Sequence, residues 1–582
     1  MNVLVYVLTA LFAFLLAYRF YGRYIARAVG EDEHRVTPAV ELRDGTDYVP
    51  TRTAVLFAHH FSTIAGAGPI IGPVMGILYG VGPAWMWVVI GAIMFGGVHD
   101  LVALYASVRE RGCSMAEIAR KALGPTGFLL FIGFTTIMIV LVTSAFLALT
   151  AVSLTSLLPL KQLGLEASQT LLRTREINGV TNGIIGGIAS TSLIVVTLVA
   201  PLMGYVVIRR GLRTWLAYLL ASLLGAVSIY IGFLVPVALD PRVWMVIIAV
   251  YTLVACQVPV WWILQPRDFV NVQILYAGMA ALAAGLLVGG FQGAKMTYPV
   301  ANMAAGAQEM GPAWPFLFIT IACGAISGFH ALVAGGTSSK QLKSESQARI
   351  IGFGGMLLEG MLAVLVLVTV GSALSYSDYM SIVWPETGPG NPILGFAYSM
   401  GHLLHSTFGL QVALGSVLGI LVVEGFLITT LDTAVRLNRY LLEEFWKTIF
   451  AQPPKLIVQR WFNSGLSVLL MALVAWGEGW KSIWPLFGSA NQLLAALTLI
   501  AVTVWLHRAG RKSWFTIVPA VVMIATTIAA LGYKLFTDYL PNRSHLLAGT
   551  DILLLALSVG VLLLSVRQFF PVQEAPEAGT PS

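Results

Sequence analysis

The sequence predicts an all-α protein that crosses a lipid bilayer about fifteen times, on three observations: composition, the length of its apolar runs and the placement of its basic residues. Hydrophobic residues make up 57% of the 582, charged residues only 10%, and the mean hydropathy is +0.83. A water-soluble chain carries roughly 25% charged residues, so water is not the main solvent here. Apolar runs of about 18 to 25 residues recur from end to end, each long enough to span ~30 Å of hydrocarbon. Only helices satisfy their own backbone in lipid at that length.

The spans fall at roughly 2–19, 54–81, 83–108, 125–158, 183–208, 214–238, 243–265, 272–292, 315–336, 350–374, 409–433, 463–478, 484–506, 514–536 and 548–566. An N-terminus outside and a C-terminus in the cytoplasm put about 26 of the 34 Lys and Arg residues on the cytoplasmic side. That bias accounts for the net charge of +7 without a nucleic-acid partner. The first run lacks a basic start and a small-residue cleavage site, so it reads as a retained helix rather than a signal peptide. Residues 1–53 then hold one helix and a cytoplasmic loop, 54–440 a central core of helices, 441–570 further helices, and 571–582 a disordered cytoplasmic tail rich in Pro, Glu, Gly and Ala. Cys113, Cys256 and Cys323 have neither metal-ligand spacing nor a framework of pairs.

The second span carries the first chemical signal. In His59-His60-Phe61-Ser62-Thr63-Ile64-Ala65-Gly66-Ala67-Gly68-Pro69, the glycines and proline open the hydrogen-bond ladder in mid-membrane. Freed N–H groups at a half-helix N-terminus suit an anion, and unwound carbonyls suit a cation. The alternative is a kinked packing helix, since Gly68, Gly72 and Gly76 share a small-residue face. The seventh span, with Gln257 and Pro259 at similar depth, reads as a second broken helix crossing in the opposite sense. Two such helices in oppositely oriented halves point to an inverted-repeat transporter, spans 2–6 and 7–11, by analogy a leucine-transporter-like five-plus-five core with helices before and after.

Ionisable groups inside spans are costly and functional by default. These are His59, His60, His99, Asp100, His330, Glu359, Glu424 and Asp432, and a group among them that gains and loses a proton near neutrality would couple transport to protons. Taken singly, each is equally well a structural hydrogen bond between helices. Thr337, Ser338 and Ser339 after the ninth span offer hydroxyls for a sodium site instead. A metal site of His59, His60 and His99 is set aside, because adjacent histidines point to different faces of a helix. No Walker-type GxxxxGK[ST], GxSxG or HExxH occurs, so a nucleotide-driven pump, a hydrolase and a metallopeptidase are all disfavoured. No cofactor is expected.

The sequence resembles the carbon starvation protein A family of bacterial and archaeal inner-membrane proteins. The resemblance is carried by 16–23 (LAYRFYGR), 45–51 (GTDYVPT), His59-His60-Phe61 with 64–69 (IAGAGP), Gly72-Pro73, and Gly97-Val98-His99-Asp100. It continues through 264–268 (LQPRD), 323–330 (CGAISGFH), 430–433 (TLDT), 436–440 (RLNRY) and 490–495 (ANQLLA). Gly335-Gly336-Thr337-Ser338-Ser339-Lys340 departs from the more Thr-Pro-containing pattern expected there, and the chain is shorter than the longest members. The resemblance implies uptake of a carbon source in scarcity, by pyruvate–proton symport or by peptide transport. The expectation is therefore an importer of pyruvate or a related small carboxylate, with peptides as runner-up and a nutrient sensor as the rival that does not transport. The backbone at Ser62 and Ala65–Pro69, with Gln257, would hold the carboxylate. His60 and Asp100, then Glu359, would carry the proton. A homo-oligomer is compatible with this reading.

Overall fold

The computed structural model describes residues 1–569 apart from 45–47, 211, 260, 387, 389 and 478. Gly45–Asp47 of the resemblance and the tail read as disordered at 571–582 lie outside them. Among the described residues, eleven helices are long and apolar enough to cross a bilayer, twelve if the bent pair Thr53–Ile64 and Gly68–Tyr79 is one span. Three of the fifteen expected spans fall short of that test. Span 243–265 is a 15-residue helix, 315–336 is two helices of 8 residues, and 463–478 is an 18-residue helix.

In chain order the principal helices are α1 (Val3–Val29), α2 (Thr53–Ile64), α3 (Gly68–Gly76), α4 (Val81–Arg109) and α5 (Met115–Leu154). They continue with α6 (Gly186–Gly204), α7 (Thr214–Leu234), α8 (Pro241–Ala255), α9 (Leu264–Phe291), α10 (Ala313–Thr320) and α11 (Phe329–Gly336). After these come α12 (Arg349–Ala373), α13 (Pro392–Phe408), α14 (Val412–Ile449), α15 (Arg460–Gly477), α16 (Trp480–Arg508), α17 (Trp514–Lys534) and α18 (His545–Phe569).

Burial separates the interior from the rim. The most apolar stretches of α5, α14 and α16 are 83%, 89% and 94% buried, whereas those of α1, α7 and α18 are 28–33% buried and present their side chains outward. α5 packs against both α14 and α16, and this trio backs the broken helices.

The connection after α5 is not a plain loop. It folds into a three-stranded antiparallel sheet of order β1 (Leu157–Pro159), β3 (Val180–Ile184), β2 (Thr174–Ile177). Asn178 and Gly179 both have positive φ, 50° and 77°, which is the two-residue hairpin turn that an Asn-Gly pair favours. Among the described residues this sheet, with an isolated antiparallel bridge between Asn2 and Lys295, departs from the expected all-α architecture.

Candidate functional site

The chain leaves the helix at Ala65 (φ −74°, ψ 59°) and resumes at Gly68, with a 48° bend between the halves. A partner break lies in the ninth run, where α10 ends at Thr320 and α11 starts at Phe329. The two broken helices run antiparallel, as their contacts show. His60 meets Ser338, a Cβ on Gly68 would sit 2.5 Å from Cys323 Sγ, and one on Gly72 would sit 2.9 Å from the Thr320 carbonyl. Early residues of one helix thus meet late residues of the other. α3 also packs on α12 while α11 packs on α4, so each half-helix leans on the span that follows its partner. Glycine at 68 and 72 is what allows the two backbones so close.

That inverted pair is not the one expected from sequence. The seventh run is an elbow between α8 and α9, and its freed carbonyls are capped. Arg436 donates to the carbonyls of Ala255 (2.7 Å) and Val258 (2.9 Å), and Arg439 to that of Cys256 (3.0 Å). Gln257 turns its amide back to the Leu253 carbonyl at 3.4 Å. It is not among the residues lining the cavity described next.

A narrow cavity opens between the breaks: about 350 Å³ of empty space counted out through its mouth, of which about 20 Å³ admits the centre of a water-sized sphere, room on the order of one water. Gly66 and Gly68 form its floor, Ser327, Asn491 and Thr430 its polar wall, and Phe146, Phe329 and Phe487 its apolar wall. The N–H groups of Ala67 and Gly68 are left without a backbone acceptor, and they sit at the positive end of the α3 dipole. At α11 the matching groups are already used: Asn491 accepts the Phe329 N–H at its Oδ1 (3.1 Å) and the Gly328 N–H at its carbonyl (3.2 Å). Of the two helix starts, the α3 terminus is therefore the one whose N–H groups are not already taken. No acidic or basic side chain lines the cavity among the described residues.

Of the substrate residues read from sequence, Gly66 and Gly68 line this cavity, and Ala65, Ala67 and Pro69 are buried in the break itself. Ser62 bonds back to the His59 carbonyl at 2.9 Å. Asn491, Thr430, Cys323 and the three phenylalanines were not singled out for the site. Asn491-Gln492 in the middle of an apolar run was the signal available for the first of them.

Beside the cavity the membrane interior holds a connected ionisable group. Asp100 takes His99 Nδ1 on one oxygen and His330 Nδ1 on the other, each at 2.8 Å. His330 Nε2 lies 3.2 Å from Glu359 Oε2, at ion-pair distance but not aligned as a hydrogen bond. All four side chains are at most 1% exposed. Burying charge this deeply is tolerable only in such mutual contact. His330 is the second residue of α11 and also meets the backbone of Ile64, the last residue of α2, so the group touches both breaks. His60 Nδ1 pairs with Ser338 Oγ at 2.8 Å one turn below. His59, by contrast, is exposed on the outer face of α2.

Two further expectations separate from this group. Asp432 is held by Arg267 at 2.6 Å and by the Tyr251 hydroxyl at 2.9 Å, at the elbow rather than at the breaks. Thr337 and Ser339 turn their hydroxyls back to the carbonyls of Val333 (3.0 Å) and Gly335 (3.4 Å), and Ser338 is taken by His60. The three hydroxyls therefore do not converge on one point.

A further buried polar contact lies outside the cavity lining. Arg109 donates to both oxygens of buried Glu345 at 3.0 Å, and the Asp32 N–H adds a third bond at 3.0 Å.

With this geometry in view, comparison with known proteins is informative. The family described as "Carbon starvation protein CstA" matches residues 2–390 and 386–530. A "Peptide transporter CstA" of Escherichia coli (strain K12) is 30% identical, the alignment covering 92% of this chain and 82% of that one. A "Pyruvate/proton symporter BtsT" of the same strain is 31% identical over 91% of this chain and 81% of its own. A "Peptide transporter CstA" of Bacillus subtilis (strain 168) is 29% identical over 97% and 95%. Among solved structures, MhsT in complex with L-phenylalanine aligns over 88% of this chain and 98% of its own, at 12% identity and a TM-score of 0.45.

Proposed function

The chain belongs to the carbon starvation protein CstA family, and on that premise we propose that it imports pyruvate or a related small carboxylate by proton symport. The observation that carries this reading is the cavity at the breaks. Gly68, whose backbone N–H has no backbone acceptor, lines it beside an apolar wall suited to a methyl group, Ala67 with its own unmatched N–H adjoins it, and among the described residues no acidic side chain lines it. A peptide brings an ammonium end as well as a carboxylate, and burying that charge without a carboxylate partner is costly. The lining therefore favours a monocarboxylate over a peptide.

In this mechanism the carboxylate sits on the N–H groups of Ala67 and Gly68, with the Ser327 and Thr430 hydroxyls at its side. The Asp100–His330–Glu359 group takes up a proton when the site faces outside. Because His330 starts α11 and meets the end of α2, its charge is felt at both breaks. Arg109–Glu345 would open as the cytoplasmic side is exposed, and rocking of the paired broken helices against α5, α14 and α16 alternates access. Phe487 and Asn491 of α16 line the same cavity, so on this reading α16 serves the transport core of 54–440. The setting is the plasma membrane of a bacterium or archaeon, N-terminus outside and C-terminus cytoplasmic, with the basic loops inside.

The test is uptake of labelled pyruvate into proteoliposomes under separately imposed proton and sodium gradients, with dipeptides as competitors. The reading expects accumulation with an inward proton gradient and indifference to sodium. Accumulation driven by sodium, or displacement by dipeptides but not by small carboxylates, would contradict it.

A further inference from the structure

Glu424 lies on α14, 2% exposed, and neither of its oxygens has a hydrogen-bond partner. Its carboxylate opens into a second cavity, bounded by α6, α9 and α14 and separate from the first, with about 250 Å³ of empty space including its mouth. Ser192 and Asn271 are the polar walls of this cavity, and the Ser153 hydroxyl at the end of α5 lies beside the carboxylate. Several of the wall groups are already engaged. Ser192 pairs with Ser228 at 2.8 Å, Asn271 Nδ2 donates to the Gly425 carbonyl at 3.1 Å, and that carbonyl also accepts Thr429 at 2.8 Å. A sodium ion needs a fuller shell of oxygens than the Glu424 carboxylate, the unpartnered Ser153 hydroxyl and the Asn271 amide oxygen supply. A water molecule and a proton need far less. An ionised carboxylate left alone at this depth is costly, and adding a proton removes that cost.

We propose that Glu424 is a second proton-binding site, loaded through water in this cavity and independent of the Asp100–His330–Glu359 group. The step is a simple transfer: an O–H bond of a hydronium in the cavity breaks as the Glu424 O–H forms, and the reverse returns the proton to water. None of the groups facing Glu424 is ionisable, these being Ser153 from α5, Ser192 from α6 and Asn271 from α9. Asp432, further along α14, is engaged by Arg267 of α9, and α8, α13 and α15, which also pack on α14, contribute nothing to the cavity. Thr430, six residues on from Glu424, lines the first cavity, so one helix carries both sites. A role in coupling rests on the transport reading above; proton binding itself does not.

The experiment is infrared difference spectroscopy of the reconstituted full chain, with no solute present, between about pH 5 and about pH 9, bracketing neutrality. The expected result is a protonated-carboxyl band that grows at low pH, is lost in E424Q and persists in E359Q. E424D serves as a second variant in which the band shifts rather than disappears. A spectrum unchanged by E424Q, or a band that responds to sodium and not to pH, overturns the proposal. Because no solute is added, failure of pyruvate uptake would leave this result standing.

Discussion

Two apolar runs of this chain are interrupted by a proline beside small or polar residues, at 65–69 and at 256–259, and they end in opposite ways. At the elbow, Arg436 and Arg439 reach from α14 and cap the carbonyls that α8 leaves behind, while Arg267 and Asp432 close the joint as a buried ion pair. At the break between α2 and α3, the freed N–H groups of Ala67 and Gly68 find no backbone acceptor, and Gly68 lines a cavity instead. A proline in an apolar run therefore announces only that backbone groups are released. What receives them decides between a joint and a site.

The comparison can be broken most severely at Gly68. A Cβ there would meet Cys323 Sγ at 2.5 Å and its Cβ at 2.6 Å, so G68V should force the two breaks apart and reduce uptake to background while the protein still reaches the membrane. Next in size is R267M, which leaves Asp432 buried without its cation. Breaking a buried pair from one side costs about 3–5 kcal/mol, so thermal unfolding in detergent should drop sharply. R267M/D432N should recover much of the loss, a pattern expected of a joint and not of a binding residue. E359Q should spare exchange of labelled for unlabelled pyruvate and abolish accumulation driven by a proton gradient, measured in the same proteoliposomes. Smallest is Q257A, whose amide only bonds back along its own helix at 3.4 Å; its KM should stay within about twofold, since a single exposed or local bond is worth little.

The membrane class and the first break were legible in the sequence because composition, run length and Gly66-Ala67-Gly68-Pro69 act locally. The partner break was not, because Cys323-Gly324-Ala325-Ile326-Ser327-Gly328 contains no proline and reads as an ordinary small-residue stretch. His330, Asp100 and Glu359 were each visible as costly groups in apolar runs, yet only the fold brings them within hydrogen-bond or ion-pair distance. Asp432 looked the same in sequence and went to Arg267, since a buried carboxylate takes whichever partner the packing supplies. The sheet after α5 was missed because its strands are short and mostly exposed, with Asn178-Gly179 as their one clear marker.

The two regions each carry a native cysteine, Cys323 at the breaks and Cys256 at the elbow, where Cys256 lies against the Asp432 carbonyl at 3.6 Å. The most direct measurement is the rate at which a small membrane-permeant thiol reagent modifies each cysteine, read by mass spectrometry with and without saturating pyruvate. Pyruvate should slow modification of Cys323 and leave Cys256 unchanged. Protection at Cys256, or none at Cys323 under conditions where pyruvate is transported, would place the substrate somewhere other than between the antiparallel breaks.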